Sequence, residues 1–144
     1  MLKLGTIVLF GVIMKITIDT SALIAVILNE PEKPSILNIT KGAQLLSPES
    51  VNWEIGNAFS AMIKRDRILL ELAKQGIEEY QNIPIKFINV DILSTMDIVE
   101  KFRMYAYDAY LAKCAMKTDT PLLTLDKGLI NIAQSLGIKV LEVK

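Results

Sequence analysis

Acidic side chains recur at one kind of place along this chain, where a short apolar strand gives way to a helix or on that helix. Four of them lie in the local sequences ITIDTSAL, WEIGNAF, YDAYLAKCA and LLTLDKGL, as Asp19, Glu54, Asp108 and Asp126. If the fold brings four carboxylates together, protonation or a bound cation must relieve their repulsion. The chain has no His and one Cys, so the available ligands are oxygens. Oxygen ligands favour hard cations, and the pattern therefore predicts a Mg²⁺ or Mn²⁺ site before a zinc site.

Three of these carboxylates also have a purely structural explanation. Asp19, Asp108 and Asp126 can each cap the helix that begins there, as aspartate commonly does. Thr20 or Ser21 can cap the first helix equally well, which would leave Asp19 able to bind a ligand. The sequence alone leaves both explanations open for each position.

Glu54 is different because it lies inside a helix. Asn57, one turn further on, shares its face, so the two side chains can point toward one spot. Trp53, Ile55 and Phe59 surround it with apolar character. A Glu in such a stretch needs a partner or an ion to hold its charge.

Short apolar strands that alternate with helices must position these side chains. The predicted strands are KITID, QLLS, IKFINV, PLLTL and IKVLEV, and the longest predicted helices are VNWEIGNAFSAMIKR, ILLELAKQGIEEYQN and DAYLAKCAMKTD. Ser47-Pro48 has the composition of a helix start, with serine as the cap and proline in the first turn. The alternation predicts an α/β fold in which a parallel sheet is covered on both faces. In such sheets the ligand site lies at the carboxyl ends of the strands, near the point where strand order reverses.

Size and composition indicate one folded domain. The 144 residues are 51% hydrophobic and 22% charged, with no net charge. Zero net charge gives no support for general nucleic-acid binding, so any polyanion must be held by local patches or by the metal. Candidate patches are Lys64, Arg65 and Arg67, and Lys101 with Arg103, although ordinary solvated helix surface explains both more simply. The single thiol, Cys114, excludes an internal disulfide and fits a buried side chain in a reducing cytoplasm.

The first thirteen residues, MLKLGTIVLFGVI, are predicted to be an extension or the product of an upstream start codon. Lys15 and Asp19 interrupt this apolar run well short of the roughly 20 residues that a membrane span needs. We therefore expect no membrane association and a folded domain over residues 14–144.

The ordered strings DTSAL, E-x-x-N, DAYLA and T-x-D-K-G-L resemble those of PIN domains, and in particular of VapC-type toxin ribonucleases from toxin–antitoxin pairs. The resemblance covers nearly all of residues 14–144. It implies a three-layer α/β/α sandwich and an acidic pocket that holds Mg²⁺ or Mn²⁺. The family's catalytic and metal-binding acids match Asp19, Glu54, Asp108 and Asp126, and its supporting polar positions match Thr20, Ser21, Asn57 and Thr124. Implied partners are an RNA substrate, a second copy of the chain and a small antitoxin protein.

The expected reaction is hydrolysis of an RNA phosphodiester by a metal-bound hydroxide, without a covalent intermediate. The absence of His excludes a histidine-based ribonuclease mechanism. Tyr105, Tyr107 and Tyr110 can stack on RNA bases, although aromatic residues beside a helix start more often belong to the core.

Two other functions remain open. In a metal-dependent phosphotransferase, Asp19 would be a covalent nucleophile, but such enzymes usually carry Asp-x-Asp after the first strand, and Ser21 stands at the second position here. A non-catalytic PIN-like module would bind RNA or a partner without cutting.

Overall fold

A computed structural model describes residues 8–9 and 12–144 of the chain. Two short antiparallel strands, β1 (Val8–Leu9) and β2 (Val12–Ile13), form a sheet of their own. The main sheet is parallel and has four strands, which are β3 (Lys15–Ile18), β4 (Gln44–Pro48), β5 (Ile85–Ile88) and β6 (Leu122–Leu123). Their order is β5-β4-β3-β6. The chain steps outward from β3 to β5 and then returns to the other side of β3, so strand order reverses between β3 and β6.

Helices cover both faces of this sheet, which confirms the predicted three-layer α/β/α arrangement in one domain. The helices in the described part of the chain are α1 (Thr20–Ile27), α2 (Lys33–Thr40), α3 (Ser50–Lys64), α4 (Leu70–Gln81), α5 (Ile92–Phe102), α6 (Ala106–Thr118) and α7 (Lys127–Ser135). One buried apolar cluster joins β3 to α1, α3 and α4 through residues such as Ile16, Leu23 and Phe59. A second cluster, which includes Leu111 and Leu129, lies between α6, β6 and α7.

The predicted helix start at Ser47-Pro48 is wrong. Both residues belong to β4, where Ser47 pairs with Phe87 and Pro48 with Ile88 of β5. The buried Ser47 hydroxyl donates a hydrogen bond to the carbonyl of Ile18, so it caps no helix. Pairing with β5 continues past the point where pairing with β3 stops, and this long-range contact overrides the local signal.

The predicted last strand, IKVLEV, is also wrong as a strand. Only a single parallel bridge forms, between Leu122 of β6 and Val140. Leu122 donates to the carbonyl of Lys139 and accepts from the amide of Leu141, and the chain then leaves the sheet. Because β6 has only two residues, it offers little length for a further strand to pair with.

The prediction that the folded domain begins near residue 14 concerns a segment that lies partly outside the described residues. The β1–β2 pair precedes the main sheet and is hydrogen-bonded only within itself among the strands described. None of the helices in the described ranges is long and apolar enough to cross a bilayer.

Candidate functional site

Asp19 follows β3 and is buried, with about 6% of its surface exposed. Its Oδ1 accepts hydrogen bonds from the Ser21 hydroxyl at 2.7 Å and from the Ala22 amide at 3.1 Å. Its Oδ2 accepts from the Thr124 hydroxyl at 2.5 Å. Asp19 therefore caps α1 itself, and neither Thr20 nor Ser21, the other two candidates for the cap, takes that role. Burial raises the pKa of the Asp19 carboxyl, although these three hydrogen bonds oppose the rise.

Two hydroxyl groups tie the ends of β3 and β6 together around Asp19. Ser21 Oγ accepts from the Leu125 amide at 2.9 Å while it donates to Asp19. Thr124 Oγ1 accepts from the Asp126 amide at 3.0 Å while it donates to the other oxygen of Asp19. Each hydroxyl is thus used as both donor and acceptor, and the pair fixes the carboxylate at the point where strand order reverses.

Asp126 lies at the same edge and is exposed. Its Oδ1 accepts from the amides of Gly128 and Leu129, at 2.9 and 3.2 Å, so it caps α7 as predicted. Its charge raises the pKa of both Asp19 and Asp108, which shows that these carboxylates face a common space. A cap uses one carboxylate oxygen here and leaves Oδ2 available.

Glu54 projects from α3 toward the same space. Burial is the main cause that raises the pKa of the Glu54 carboxyl from 4.5 to about 7, and the charges of Asp19 and Asp108 add to it. The nearby Thr20 hydroxyl lowers the pKa but does not reach hydrogen-bond geometry. Within the described part of the chain, Glu54 Oε2 and Thr20 Oγ1 are both buried without a hydrogen-bond partner. Two neighbouring buried oxygens without partners fit a bound cation, which would satisfy both.

Asp108 is the third residue of α6, so the prediction that it begins and caps this helix is wrong; the residue before the helix is Tyr105. Burial raises the pKa of the Asp108 carboxyl, followed by the charges of Asp126 and Asp19. No hydrogen bond contributes to that pKa. An acidic side chain in the first turn of a helix also benefits from the positive end of the helix dipole.

The four carboxylates therefore share one electrostatic environment, but they do not form a finished metal-binding set. Among the residues described, no three acidic, histidine or cysteine side chains lie close enough together to hold an ion. The donors nevertheless fit a hard divalent cation, because all are oxygens and two of them lack partners. Zinc, which prefers nitrogen and sulfur, finds no such ligand here.

The other predicted residues differ in how exposed their side chains are. Asn57 is exposed on α3, one turn beyond Glu54. Trp53 is 72% exposed and so gives the Glu54 side chain little apolar cover. Tyr105 and Tyr107 are 87% and 46% exposed, so the expectation that such aromatic residues belong to the core is wrong for both. Cys114 is buried, as predicted, and its thiol contacts the Thr17 hydroxyl at 3.7 Å.

Solved structures with the same fold come from archaea and bacteria. They include PAE2754 from Pyrobaculum aerophilum (18% identity, 85% of this chain and 86% of that chain, TM-score 0.65). They also include VapBC2 from Rickettsia felis bound to a promoter DNA fragment (14% identity, 91% of this chain and 100% of that chain, TM-score 0.65). A third is VapC20 from Mycobacterium tuberculosis, described as a toxin that cleaves the sarcin-ricin loop (13% identity, 88% of this chain and 98% of that chain, TM-score 0.61). At these identities the likeness shows the fold alone, and none of the curated proteins compared matches the sequence.

The sequence also matches a family model, over residues 16–135. That span begins in β3 and ends at the last residue of α7, so it contains all four carboxylates and the two hydroxyl groups that link β3 to β6. The chain belongs to the PIN domain family.

Proposed function

We propose that this chain is a divalent-metal-dependent endoribonuclease and the toxin of a toxin–antitoxin pair. PIN domains are generally nucleases, and one protein of the same fold is an RNA-cleaving toxin. The observation that carries the proposal is the convergence of carboxylates from β3, α3, α6 and the start of α7 at one edge of the sheet. Burial and the charges of neighbouring acids raise the pKa of Asp19, Glu54 and Asp108 there.

In this proposal Asp19, Glu54, Asp108 and Asp126 together hold Mg²⁺ or Mn²⁺. Such an ion, when bound, lowers the pKa of a water molecule and neutralises charge on a scissile phosphate. Asp19 supplies the fixed ligand, because Ser21 and Thr124 orient both of its oxygens. Glu54 and Asp108 sit on two different helices, and small movements of their side chains complete the ligand set. Thr20 is a supporting residue whose unpartnered hydroxyl faces Glu54, and Asn57 contacts the RNA backbone from its exposed position.

The first test is cleavage of a mixed RNA pool by the purified chain with EDTA, Mg²⁺ or Mn²⁺. We expect cutting only with metal, and a loss of more than about a hundredfold in Asp19→Asn and in Asp108→Asn. Replacement of a residue that merely supports a metal site costs about 10- to 100-fold, so a ligand should cost more. Asp97→Asn, which removes an exposed acid from α5, is the matched control and should cut normally.

Two results would contradict the nuclease proposal. One is cutting that persists in EDTA, which would point to a contaminating ribonuclease. The other is equal loss of activity in Asp97→Asn and Asp108→Asn, which would mean that net charge, not the site, controls cleavage.

Two protein partners are part of the same proposal. The solved VapBC2 structure contains a toxin–antitoxin pair, and we infer a small antitoxin and a second copy of this chain as partners here. Large apolar side chains on the surface, such as Trp53 and Leu69 (73% exposed), are consistent with covered faces. A dimer would have twice the 16.0 kDa mass of the chain, which light scattering after gel filtration measures directly. A single buried thiol suits the reducing cytoplasm in which we place the protein.

A second function is favoured by one observation, the lack of three closely spaced ligands among the described residues. In this alternative the domain binds RNA or a partner and does not cut. Tight metal binding in calorimetry together with no cleavage of any RNA in the pool would support this alternative.

A further inference from the structure

A cavity of about 180 Å³ lies at the same edge of the sheet as the carboxylates but contains none of them. Its floor is formed by the carboxyl ends of β4 and β5, at Pro48 and Ile88. Ser50 at the start of α3, Asn89 after β5 and Tyr110 of α6 form its walls. The proposed metal site makes no use of this cavity.

The two helices that carry Glu54 and Asp108 also line the cavity. Ser50 is one helical turn before Glu54, so the two side chains lie on the same face of α3. Tyr110 is two residues after Asp108 on α6, so the two side chains leave that helix on different faces. A group bound in the cavity would therefore sit one helical turn from Glu54, on the β4–β5 side of the sheet.

The chemistry of the cavity is that of a site for a flat, polar-edged ring. The Tyr110 ring supplies an aromatic wall and is braced by Tyr107, with 6.2 Å between ring centroids and an edge-to-face angle of 74°. Ile88 and Ile92 supply apolar surface. In contrast, Ser50 Oγ is buried and has no hydrogen-bond partner within the described residues. A buried hydroxyl without a partner is costly, and a ligand in the cavity satisfies it once the Ser50 side chain rotates toward the cavity.

The loop that forms one wall is held in place from α6. Lys117 Nζ donates a hydrogen bond of 2.6 Å to the Asn89 carbonyl. At the start of α5, Asp91 accepts from the Ser94 amide at 3.1 Å and so caps the helix that follows the loop. The wall is thus fixed at both ends before any ligand arrives, which reduces the entropic cost of binding.

We propose that this cavity binds one unpaired nucleobase of the RNA, next to the phosphate that is cut. Single-stranded RNA is recognised by bases that stack on aromatic side chains and form hydrogen bonds at their edges. An apolar side chain from a protein partner would fill the same volume but would leave Ser50 Oγ without a partner. The exposed ring of Tyr107, which packs against Tyr110, provides further stacking surface. This inference rests on the proposed ribonuclease function and adds a determinant of its specificity.

The test uses a short RNA that contains the cut site found in the pool, with each flanking nucleotide replaced in turn by an abasic one. We expect one position at which base removal lowers kcat/KM by about ten- to a hundredfold, the range given by the loss of one stacked base. Tyr110→Leu should lower kcat/KM by a similar factor on the intact RNA. On the RNA that is abasic at that position, Tyr110→Leu should have no further effect, because both changes remove the same contact.

Ser50→Ala provides a second variant that leaves the aromatic wall intact. It should change the preference among the four bases at that position by about three- to tenfold, as expected for one hydrogen bond. Ser60→Ala, the same substitution at an exposed position of α3, is the matched control and should change nothing. Unfolding midpoints of all variants separate a folding defect from a binding defect.

If Tyr110→Leu lowers kcat/KM by the same factor on the intact RNA and on every abasic RNA, the inference is overturned and the nuclease proposal stays intact. If no RNA is cut, nucleoside 5′-monophosphates and ribose 5-phosphate are titrated into the protein by calorimetry. Binding of the nucleotides alone, weakened by Tyr110→Leu, would support the base site although the nuclease proposal had failed. Equal binding of the nucleotides and of ribose 5-phosphate, or no binding of either, would overturn the base site. So would a result in which Tyr110→Leu and Ser50→Ala alter only the association with a protein partner.

Discussion

The candidate site has two halves that differ in how their carboxylates are held. Asp19 and Asp126 follow strands β3 and β6, and backbone amides and hydroxyl groups donate to both oxygens of Asp19 and to one oxygen of Asp126. Glu54 and Asp108 project from α3 and α6. One oxygen of Glu54 is buried without a partner, and burial and charge, without any hydrogen bond, raise the pKa of Asp108. The strand half is held by hydrogen bonds within the folded chain, whereas a bound cation would satisfy the oxygens of the helix half.

This difference separates two tasks that a metal site must perform. The strand half gives a fixed reference point, since Asp19 is locked by residues that belong to the two strands at the reversal of strand order. In the helix half, carboxylates are buried at an electrostatic cost, which a bound cation would reduce. Ligand binding should therefore stabilise the helix half far more than the strand half.

The largest effect on stability is expected in the strand half, from Thr124→Val. The substitution removes the hydroxyl that donates to buried Asp19 and accepts from the Asp126 amide. Loss of a hydrogen bond to a charged group costs about 1.5–3 kcal/mol, and we expect a decrease of that size in the free energy of unfolding. Urea denaturation measures it, with Thr124→Ser as the control that keeps the hydroxyl. A decrease in Thr124→Val no larger than in Thr124→Ser would mean that the strand half is not locked in this way.

The sequence was sufficient to predict most of this arrangement. Alternating patterns located β3, α3 and α6, and the positions of Asp19 and Asp126 after strands followed from where the apolar runs end. Local patterns failed at Ser47-Pro48, because pairing between β4 and β5 joins residues about 40 positions apart, as in Ser47 with Phe87. They also failed to distinguish capping from ligand binding, because an aspartate that caps a helix with one oxygen, as Asp126 does, keeps the other oxygen available. The exposure of Tyr105 depends on how the end of α5 turns into α6, which no local pattern encodes.

A smaller effect is expected in the helix half, from a change of pH. The folded protein has a Glu54 pKa of about 7, above the usual 4.5, so the protonated form is favoured by folding. Glu54 should therefore contribute most to the free energy of unfolding of the metal-free protein below about pH 4.5. That contribution is lost as the pH rises through about 7. The loss should be roughly 1–2 kcal/mol, less than the full shift implies because the side chain is partly exposed and solvent screens it.

Thermal or urea unfolding in EDTA between pH 4.5 and 8 measures this pH dependence. Asp19 and Asp108, whose pKa values are also raised by burial, contribute with the same sign. Glu54→Gln should flatten the curve and raise stability at pH 7.5, while Asp97→Asn should leave the curve unchanged. A wild-type curve that rises between pH 4.5 and 7 would contradict the assignment of an unfavourably buried carboxylate to the helix half.

The smallest effect is expected outside both halves. Deletion of residues 1–13, which the sequence predicts to lie outside the domain, should change the free energy of unfolding by less than about 0.5 kcal/mol and leave RNA cleavage intact. Loss of soluble protein on deletion would show that the β1–β2 segment is part of the domain.

We infer that the two halves form one cation site. Titration of Mn²⁺ into the protein by calorimetry at pH 7.5 tests it directly, with Glu54→Gln, Thr124→Val and Asp97→Asn in parallel. We predict one saturable site in the wild type, unchanged in Asp97→Asn and weakened more than about tenfold in Glu54→Gln and in Thr124→Val, since even supporting residues cost 10- to 100-fold. Equal affinity in the wild type and Glu54→Gln would show that the helix half takes no part in the site and would contradict the account.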